Sequence, residues 1–375
     1  MRVLISCGGT GGHINPGLAI ADIIKTKYPD TEFLFAGTPN GMESKLVPQA
    51  GYKMEPIKVA GFQRSFSLEN IGRNAKAVAY LITSGKRAKE IIKGFNPDIA
   101  IGTGGYAAGP VIRKAARMGI PTAIHEQNAY PGVTNRLLSK EVDYVMLTVK
   151  EALNFMDESK FRHSVTGLPV RSGINNKLTK AEARAKLGIN GDFTILSFGG
   201  SLGAGCINET MTETIKWHQG KKLPINHIHG YGGMGKDTFP QAMKAAGIPL
   251  KSDRLRITEY ITDMDVCLAA ADLVVCRSGA STLAELEAAG KASILIPSPI
   301  VAGNHQYHNA MVLGKAGAAL VIEQKDVTPE RIISEIEKLS ADSDKVEIMS
   351  ASAKGLHLED TNQRILAVVE ELLKK

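Results

Sequence analysis

The sequence predicts an α/β fold of two Rossmann-like domains, each a parallel sheet wound with helices. Three observations point there. Short apolar runs alternate with helical stretches along the chain, and each run tends to end at a glycine or polar cluster. The 38 glycines are too many for a helical bundle and suit many strand-to-helix turns. A strand, glycine loop and helix at the start is matched by a second such unit roughly one domain length later. A chain of 375 residues also exceeds what one core usually organises, so two domains facing each other across a cleft are expected.

The first apolar run, Val3-Leu4-Ile5, leads into Gly8-Gly9-Thr10-Gly11-Gly12-His13 and on to Pro16 and Leu18-Ala19-Ile20. Glycines let a backbone bend sharply and approach a ligand, and the unpaired amides of a helix start favour an anionic or hydroxyl-rich group. His13 brings an imidazole to that corner. A tight turn with a surface histidine is the alternative, since one glycine-rich turn is a weak signal. Strands are expected at 2–6, 32–36, 98–103, 122–125, 144–147 and 163–165, with helices starting near Pro16, Met42, Leu68 and Gly109. The pattern pauses around Gly167-Leu168-Pro169-Val170-Arg171, and a charged helix at 180–187 follows.

The rhythm then restarts with a strand at 194–198 and the loop Gly199-Gly200-Ser201-Leu202-Gly203-Ala204. Further strands are expected at 225–229, 255–258, 273–276, 293–297 and 319–322. Residues 341–352 read as a polar linker, and Asp360-Thr361 as the cap of a last helix at 362–374. The expected division is 1–165 and 166–357, with 358–375 packing back on the first domain. Ligands of such sheets bind at the carboxyl ends of strands, where the polar clusters fall.

Hydrophobic residues at 43% and charged residues at 22% describe a soluble globular chain. No apolar segment has the form of a secretory signal or the length of a bilayer span. Cys7, Cys206, Cys267 and Cys276 are widely spaced without a CxxC pair, so reduced thiols in a cytosolic protein are expected. Much of the +7 net charge sits in residues 62–95, where seven Lys and Arg face two Glu among many apolar residues. That segment suits an anionic bilayer surface, or else a pair of ordinary amphipathic helices.

Several clusters carry chemistry. His125-Glu126-Gln127-Asn128 packs hydrogen-bonding groups and a titratable pair into one strand-end turn, against the alternative of a polar loop. Arg171 beside the domain junction is a candidate for holding a phosphate, or a solvated charge. In Cys276-Arg277-Ser278-Gly279-Ala280-Ser281-Thr282-Leu283-Ala284-Glu285 a carboxylate one helical turn inward could accept from a ribose diol, or close a capping box with Ser281 and Thr282. Gly303-Asn304-His305-Gln306-Tyr307-His308-Asn309 suits sugar hydroxyls or a simple polar loop. His227 and His229 alternate on a strand as a metal pair would, but no third ligand is near. Asp263-Met264-Asp265 is better explained as a helix cap than as a metal-binding DxD.

Taken together, these pieces resemble the MurG family of bacterial peptidoglycan glycosyltransferases. The resemblance runs in order through GGTGGHINP (8–16), GTGGYAAGP (102–110), HEQNAYPG (125–132), GLPVR (167–171), GGSLGA (199–204), TEYI (258–261), CRSGASTLAE (276–285) and GNHQYHNA (303–310). It covers nearly the whole chain. It implies the GT-B fold and inverting transfer of N-acetylglucosamine from UDP-N-acetylglucosamine to the muramyl 4-hydroxyl of lipid I, giving lipid II in peptidoglycan synthesis. The implied setting is peripheral, on the cytoplasmic face of the membrane, with UDP-N-acetylglucosamine, lipid I and an anionic membrane surface as partners, no nucleic acid and no cofactor.

Residue by residue, the resemblance implies that Thr10, Gly11 and Gly12 bind the donor diphosphate or the acceptor pyrophosphate. It implies His13, or else Glu126, as general base. Asn128 would touch the transferred sugar, Arg171 and Ser201 the donor diphosphate, the Ile261 backbone uracil, Glu285 the ribose and Gln306 the sugar hydroxyls. Leu168, Leu202, His229 and His305 depart from residues common in the family. Two rivals stand beside this reading: a UDP-N-acetylglucosamine epimerase, and a non-catalytic UDP-sugar-binding subunit. A nicotinamide enzyme fits less well, because residues 8–13 lack GxGxxG spacing.

Overall fold

The computed structural model describes residues 1–59, 83–175 and 178–374. It divides into two compact units, Met1–Pro169 with Leu358–Lys375, and Val170–His357. Most of the basic and apolar segment 62–95, and the helix start expected near Leu68, lie outside the described residues.

The first unit runs β1 (Arg2–Cys7), α1 (Gly11–Lys27), β2 (Glu32–Gly37), α2 (Glu43–Gln49) and β3 (Lys53–Pro56). Helix α3 lies within 83–95. Then come β4 (Ile99–Gly104), α4 (Ala108–Arg117), β5 (Thr122–Glu126), α5 (Val133–Leu138), β6 (Tyr144–Leu147) and β7 (Arg162–Val165). The strands form one parallel sheet in the order β3-β2-β1-β4-β5-β6-β7. Both faces are covered, which is why β1 reads as a continuous apolar run. Val3 and Ile5 enter a core with α1 and the C-terminal helix, while Leu4 enters a core with α4 on the other face. That alternation is the two-residue period of a strand.

The second unit runs α6 (Lys180–Leu187), β8 (Phe193–Phe198), α7 (Gly205–Gly220), β9 (Ile225–Gly230), α8 (Thr238–Ala245) and β10 (Leu255–Thr258). It continues through α9 (Met264–Ala270), β11 (Leu273–Cys276), α10 (Ala280–Ala289), β12 (Ala292–Leu295), α11 (His305–Lys315), β13 (Ala319–Val321), α12 (Pro329–Ser340) and α13 (Ser343–Leu356). Its sheet is also parallel, in the order β10-β9-β8-β11-β12-β13. Ile195 and Leu196 enter opposite cores. Helix α14 (Thr361–Leu373) returns to the first unit, burying Ile365, Val368, Val369 and Leu372.

Two parallel sheets wound with helices are what the sequence predicts. Some local expectations fail. Residues 341–352 are not a linker: α13 covers most of them because Val346, Met349 and Ala353 fall on one helical face and are buried. Helix α1 begins at Gly11 rather than near Pro16, which sits inside it. Asp360 occupies the N-cap position of α14, yet its carboxylate accepts from Arg364 Nε instead of capping. The short strand β3 went unpredicted.

Candidate active site

In both sheets the strand order reverses between two strands whose connections leave in opposite directions. Ligands of open α/β sheets collect outside the carboxyl ends of strands at such points. In the first unit the point lies between β1 and β4, followed by the loops at 8–10 and 105–107. In the second it lies between β8 and β11, followed by 199–204 and 277–279.

His13 stands in the first turn of α1, half-buried. Its Nδ1 lies 3.1 Å from the Thr103 carbonyl and 3.2 Å from Gln127 Oε1. Both partners only accept, so Nδ1 carries a proton, and the tautomer they select for the neutral form of the ring has its lone pair at Nε2. The Thr103 hydroxyl in turn donates to the His13 carbonyl at 2.7 Å. Gly104 makes room for the ring, since a Cβ there would stand 2.7 Å from Nδ1. Its φ of +101° is in any case one that glycine tolerates best.

The glycine loop is braced from beneath by Glu43 at the start of α2. Its Oε2 accepts from the Gly9 amide at 3.2 Å, and its Oε1 from the Thr38 amide and hydroxyl at 2.8 and 2.6 Å. Burial pushes this carboxyl up, but the donated bonds from Thr38 and Gly9 bring it net below its ordinary value. Sequence reasoning passed over Glu43, because nothing local ties a helix-start glutamate to a loop 34 residues earlier.

Glu126 is placed as a clamp on its own turn. It is buried, and its oxygens accept from Asn128 N (2.8 Å), Asn128 Nδ2 (3.1 Å), Gly132 N (3.0 Å) and Asn135 Nδ2 (2.8 Å). Those four donors fill the roughly four acceptor sites of a carboxylate, leaving none for a substrate hydroxyl. The geometry therefore speaks against Glu126 as the base. Asn128 is drawn into the same clamp. Thr10, the N-cap of α1, is exposed and its side chain makes no cap bond; Gly11 and Gly12 open the helix behind it.

In the second unit, Ser201 and Leu202 are exposed on the loop after β8. Gly203, at φ +83°, lies so close to the next loop that a Cβ would stand 2.2 Å from the Tyr231 carbonyl oxygen. Arg171 and Glu285 are brought together as a two-pronged ion pair, Nε to Oε1 at 2.6 Å and the outer nitrogen to Oε2 at 2.8 Å. The arginine is thus partly committed to the carboxylate rather than standing open to a phosphate. Its second terminal nitrogen takes no part in that pair, and the Arg171 side chain is 56% exposed against 11% for Glu285.

The capping box that stood as the alternative reading of Ser281, Thr282 and Glu285 is absent, because Gly279 is the N-cap of α10 and no side chain caps it. Asp263 likewise does not cap α9; it takes both prongs of Arg256 at 2.8 Å. Ile261 is buried against Gly230. Gln306 Oε1 accepts from the Ser298 amide, and the Gln306 carbonyl accepts from the Ser278 hydroxyl, which ties the start of α11 to the loop after β11.

His227 and His229 do share a side of β9, but they serve a buried hydrogen-bonded chain. Ser197 Oγ lies 2.8 Å from both His227 Nε2 and His229 Nδ1, and His218 Nε2 lies 3.2 Å from His227 Nδ1. Burial pushes His218 down to about 4 and His229 to about 3. Burial, then the neighbouring histidines, hold His227 well below its ordinary value. Among the described residues no group of three or more His, Cys, Asp and Glu is arranged to hold a metal ion.

The profile of the glycosyltransferase family 28 N-terminal domain matches residues 3–147, and that of the family 28 C-terminal domain matches residues 194–365. The chain belongs to glycosyltransferase family 28. A relative from Acetivibrio thermocellus is 46% identical over 376 residues, spanning 100% of this chain and 99% of the relative. It is named UDP-N-acetylglucosamine–N-acetylmuramyl-(pentapeptide) pyrophosphoryl-undecaprenol N-acetylglucosamine transferase. A relative from Desulforamulus reducens with the same name is 42% identical, with 100% of each chain covered. Among solved structures, Acinetobacter baumannii MurG superposes with a TM-score of 0.78 at 26% identity, covering 99% of both chains. The N-terminal match lies within the first unit and contains the first loop and His13, while the C-terminal match covers most of the second unit and runs into the start of α14.

Proposed function

We propose that the chain transfers N-acetylglucosamine from UDP-N-acetylglucosamine to the muramyl 4-hydroxyl of lipid I, forming lipid II with inversion at the anomeric carbon. The observation that carries the mechanism is His13: an imidazole held through Nδ1 by two acceptors at a sheet switch point, with Nε2 unpartnered among the described residues. In the step itself, Nε2 takes the proton of the acceptor hydroxyl as its oxygen bonds to the anomeric carbon. The bond from that carbon to the diphosphate breaks, and UDP leaves with the electron pair. Thr10, Gly11, Gly12 and Asn128 belong to the acceptor and transferred-sugar side of this reading.

The departing charge falls to the second unit. The amides of the loop after β8 with Ser201, the N-terminal end of α7, and the free nitrogen of Arg171 supply donors for a diphosphate. Glu285, with one lone pair on each oxygen given to Arg171, keeps acceptor capacity for a ribose diol. In this reading the Ile261 backbone reads the base and the Gln306 amide meets sugar hydroxyls. We place the enzyme at the cytoplasmic membrane face, where an undecaprenyl-linked acceptor resides. No described helix is long and apolar enough to cross a membrane.

The test is incubation with UDP-N-acetylglucosamine and a lipid I analogue. Stoichiometric UDP and the disaccharide product are expected. Isomerised sugar nucleotide without acceptor would favour the epimerase reading, and UDP-sugar binding without turnover the non-catalytic one; full-length relatives named as transferases favour neither.

A further inference from the structure

Gln127 lies one residue past β5, buried, and bridges two histidines that are far apart in their exposure to solvent. Its polar atoms are fully accounted for. The amide nitrogen lies 2.9 Å from the His125 carbonyl and 3.1 Å from His125 Nδ1, and Oε1 lies 3.2 Å from His13 Nδ1. His125 is fully buried, and its Nε2 lies 2.9 Å from the Gly167 carbonyl.

These contacts allow one assignment of protons. A carbonyl cannot donate, so His125 Nε2 carries a hydrogen and gives it to Gly167. A buried neutral His125 then has its lone pair at Nδ1, and burial does push this imidazole down to about 4. Two acceptors, Nδ1 and the His125 carbonyl, thus face the Gln127 amide nitrogen, which spends one hydrogen on each. Flipping the amide would set its oxygen against both of them. The orientation of Gln127 is therefore fixed from behind, and Oε1 must face His13, where it can only accept.

We propose that Gln127 is the positioning residue of the reaction: anchored by His125 and the Gly167 carbonyl, it holds His13 in the Nδ1–H form with Nε2 as the lone pair aimed at the acceptor. The inference rests on the reading of His13 as base. It assigns roles to the two members of the His125–Asn128 turn, His125 and Gln127, that the family resemblance left without one. Glu126, its neighbour, keeps the turn closed, and Gln127 transmits that rigidity to the ring. The Thr103 carbonyl is a second acceptor on the same Nδ1, so removing Gln127 loosens the ring without releasing it.

The ionisable groups tied into the loop and turn that hold His13 are His125 on β5, reached through Gln127, Glu43 on α2, which holds Gly9, and Glu126 on β5, locked in its clamp. The same elements also carry Cys7 and Arg2 on β1, Asp22 and Lys25 on α1 and Lys45 on α2, and burial pushes the Cys7 thiol up to about 12. The Lys27, Tyr28 and Glu370 contacts between α1 and α14 lie at the far end of α1.

The experiment uses the full chain, UDP-N-acetylglucosamine and a lipid I analogue, with Gln127→Leu and Gln127→Glu. Gln127→Leu is expected to lower kcat by roughly 10–100-fold while KM for the donor changes by less than about twofold. Gln127→Glu keeps an oxygen on Nδ1 and favours the imidazolium, so the acid limb of its kcat profile moves to higher pH. A Leu variant within about twofold of the parent in kcat, together with an unmoved limb in the Glu variant, overturns the proposal.

Nitrogen-15 spectra of histidine-labelled chain give a readout independent of turnover, with His13 identified by its loss in His13→Ala. The parent should show the Nδ1–H tautomer at His13, and Gln127→Leu a mixture; the Nε2–H tautomer in the parent overturns the proposal. If the parent transfers sugar and His13→Ala turns over normally, the base reading falls by itself, and the spectra still decide whether Gln127 sets the tautomer. Should Gln127→Leu fail to fold, the parent spectrum and the Glu profile carry the decision.

Discussion

The loop after β1 and the loop after β8 occupy the same place in two similar sheets, yet their polar groups are spent differently. In the first, Glu43 takes the Gly9 amide, Thr103 grips His13 on two sides and Gln127 closes on the ring, so a carboxylate lies beneath the loop and one imidazole nitrogen is left over. In the second, no carboxylate is bonded to the amides of 199–204 among the described residues. Ser201 and Leu202 are exposed, and α7 has no acidic residue in its first turn. One fold-level device thus presents opposite electrostatics at its two copies. A carboxylate-braced loop suits proton removal from a neutral hydroxyl, and an unbraced loop at a helix start suits a leaving diphosphate.

The strongest way to break this contrast is His13→Ala. Turnover should fall by about 10²–10⁴-fold, with UDP affinity, measured by titration, left near that of the parent because the donor loop is untouched. Near-normal turnover would remove the first loop from the chemistry.

Acid separates the two units next. His218, His227 and His229 are buried neutral in the second unit, and His125 in the first, each with a folded value below that of the unfolded chain. The unfolded chain therefore binds more protons as pH falls below about 6.5, and stability present above that pH is lost on the way down toward about 4. For His218 alone the loss is about 3 kcal/mol. Trp217, the single tryptophan, stands edge-on to His218 and reports the second unit. Its urea-unfolding stability should decline more steeply between these pH values than amide-exchange stability of the first sheet. The slope should shrink in His218→Gln, and an unchanged slope would sink the assignment.

Glu285→Gln sharpens the donor side. Losing the charged pair with Arg171 should weaken UDP-N-acetylglucosamine binding by roughly 10-fold or somewhat more, seen in calorimetry, with little change in global stability because Arg171 is more than half exposed. Unaltered donor affinity would mean that the pair stands outside the donor site.

The smallest effects contrast the braces themselves. Glu43→Gln keeps an oxygen for the two Thr38 donors but turns its NH2 against the Gly9 amide, and should cost about 1–3 kcal/mol of first-unit stability, whereas Ser201→Ala should stay within about 0.5 kcal/mol. Equal costs in chemical denaturation would erase the distinction between a braced and an open loop.

Much of the fold was legible because its signals are local. Strands such as Tyr144–Leu147, Leu255–Thr258 and Leu273–Cys276 stand where apolar runs end at polar turns, and α6 carries its capping box at Thr179 and Glu182 in plain sequence. The strand Lys53–Pro56 was invisible: four residues, two of them charged, at the sheet edge and ending in proline, carry no apolar period. In α13 the buried face is three residues thinly spaced in a polar run, so composition outweighed periodicity.

The sequence by itself determined two wound parallel sheets, their glycine loops and the turn from His125 to Asn128, because helix and strand periods and turn chemistry act over a few residues. Only the tertiary structure decided which member of that turn meets His13, 114 residues away, that Glu126 is consumed by its own loop, and that Arg171 is spent on Glu285, also 114 residues away. Hydrogen bonds of that reach depend on how strands are ordered across a sheet and on which buried atom still lacks a partner. Neither is encoded in any local window of the chain.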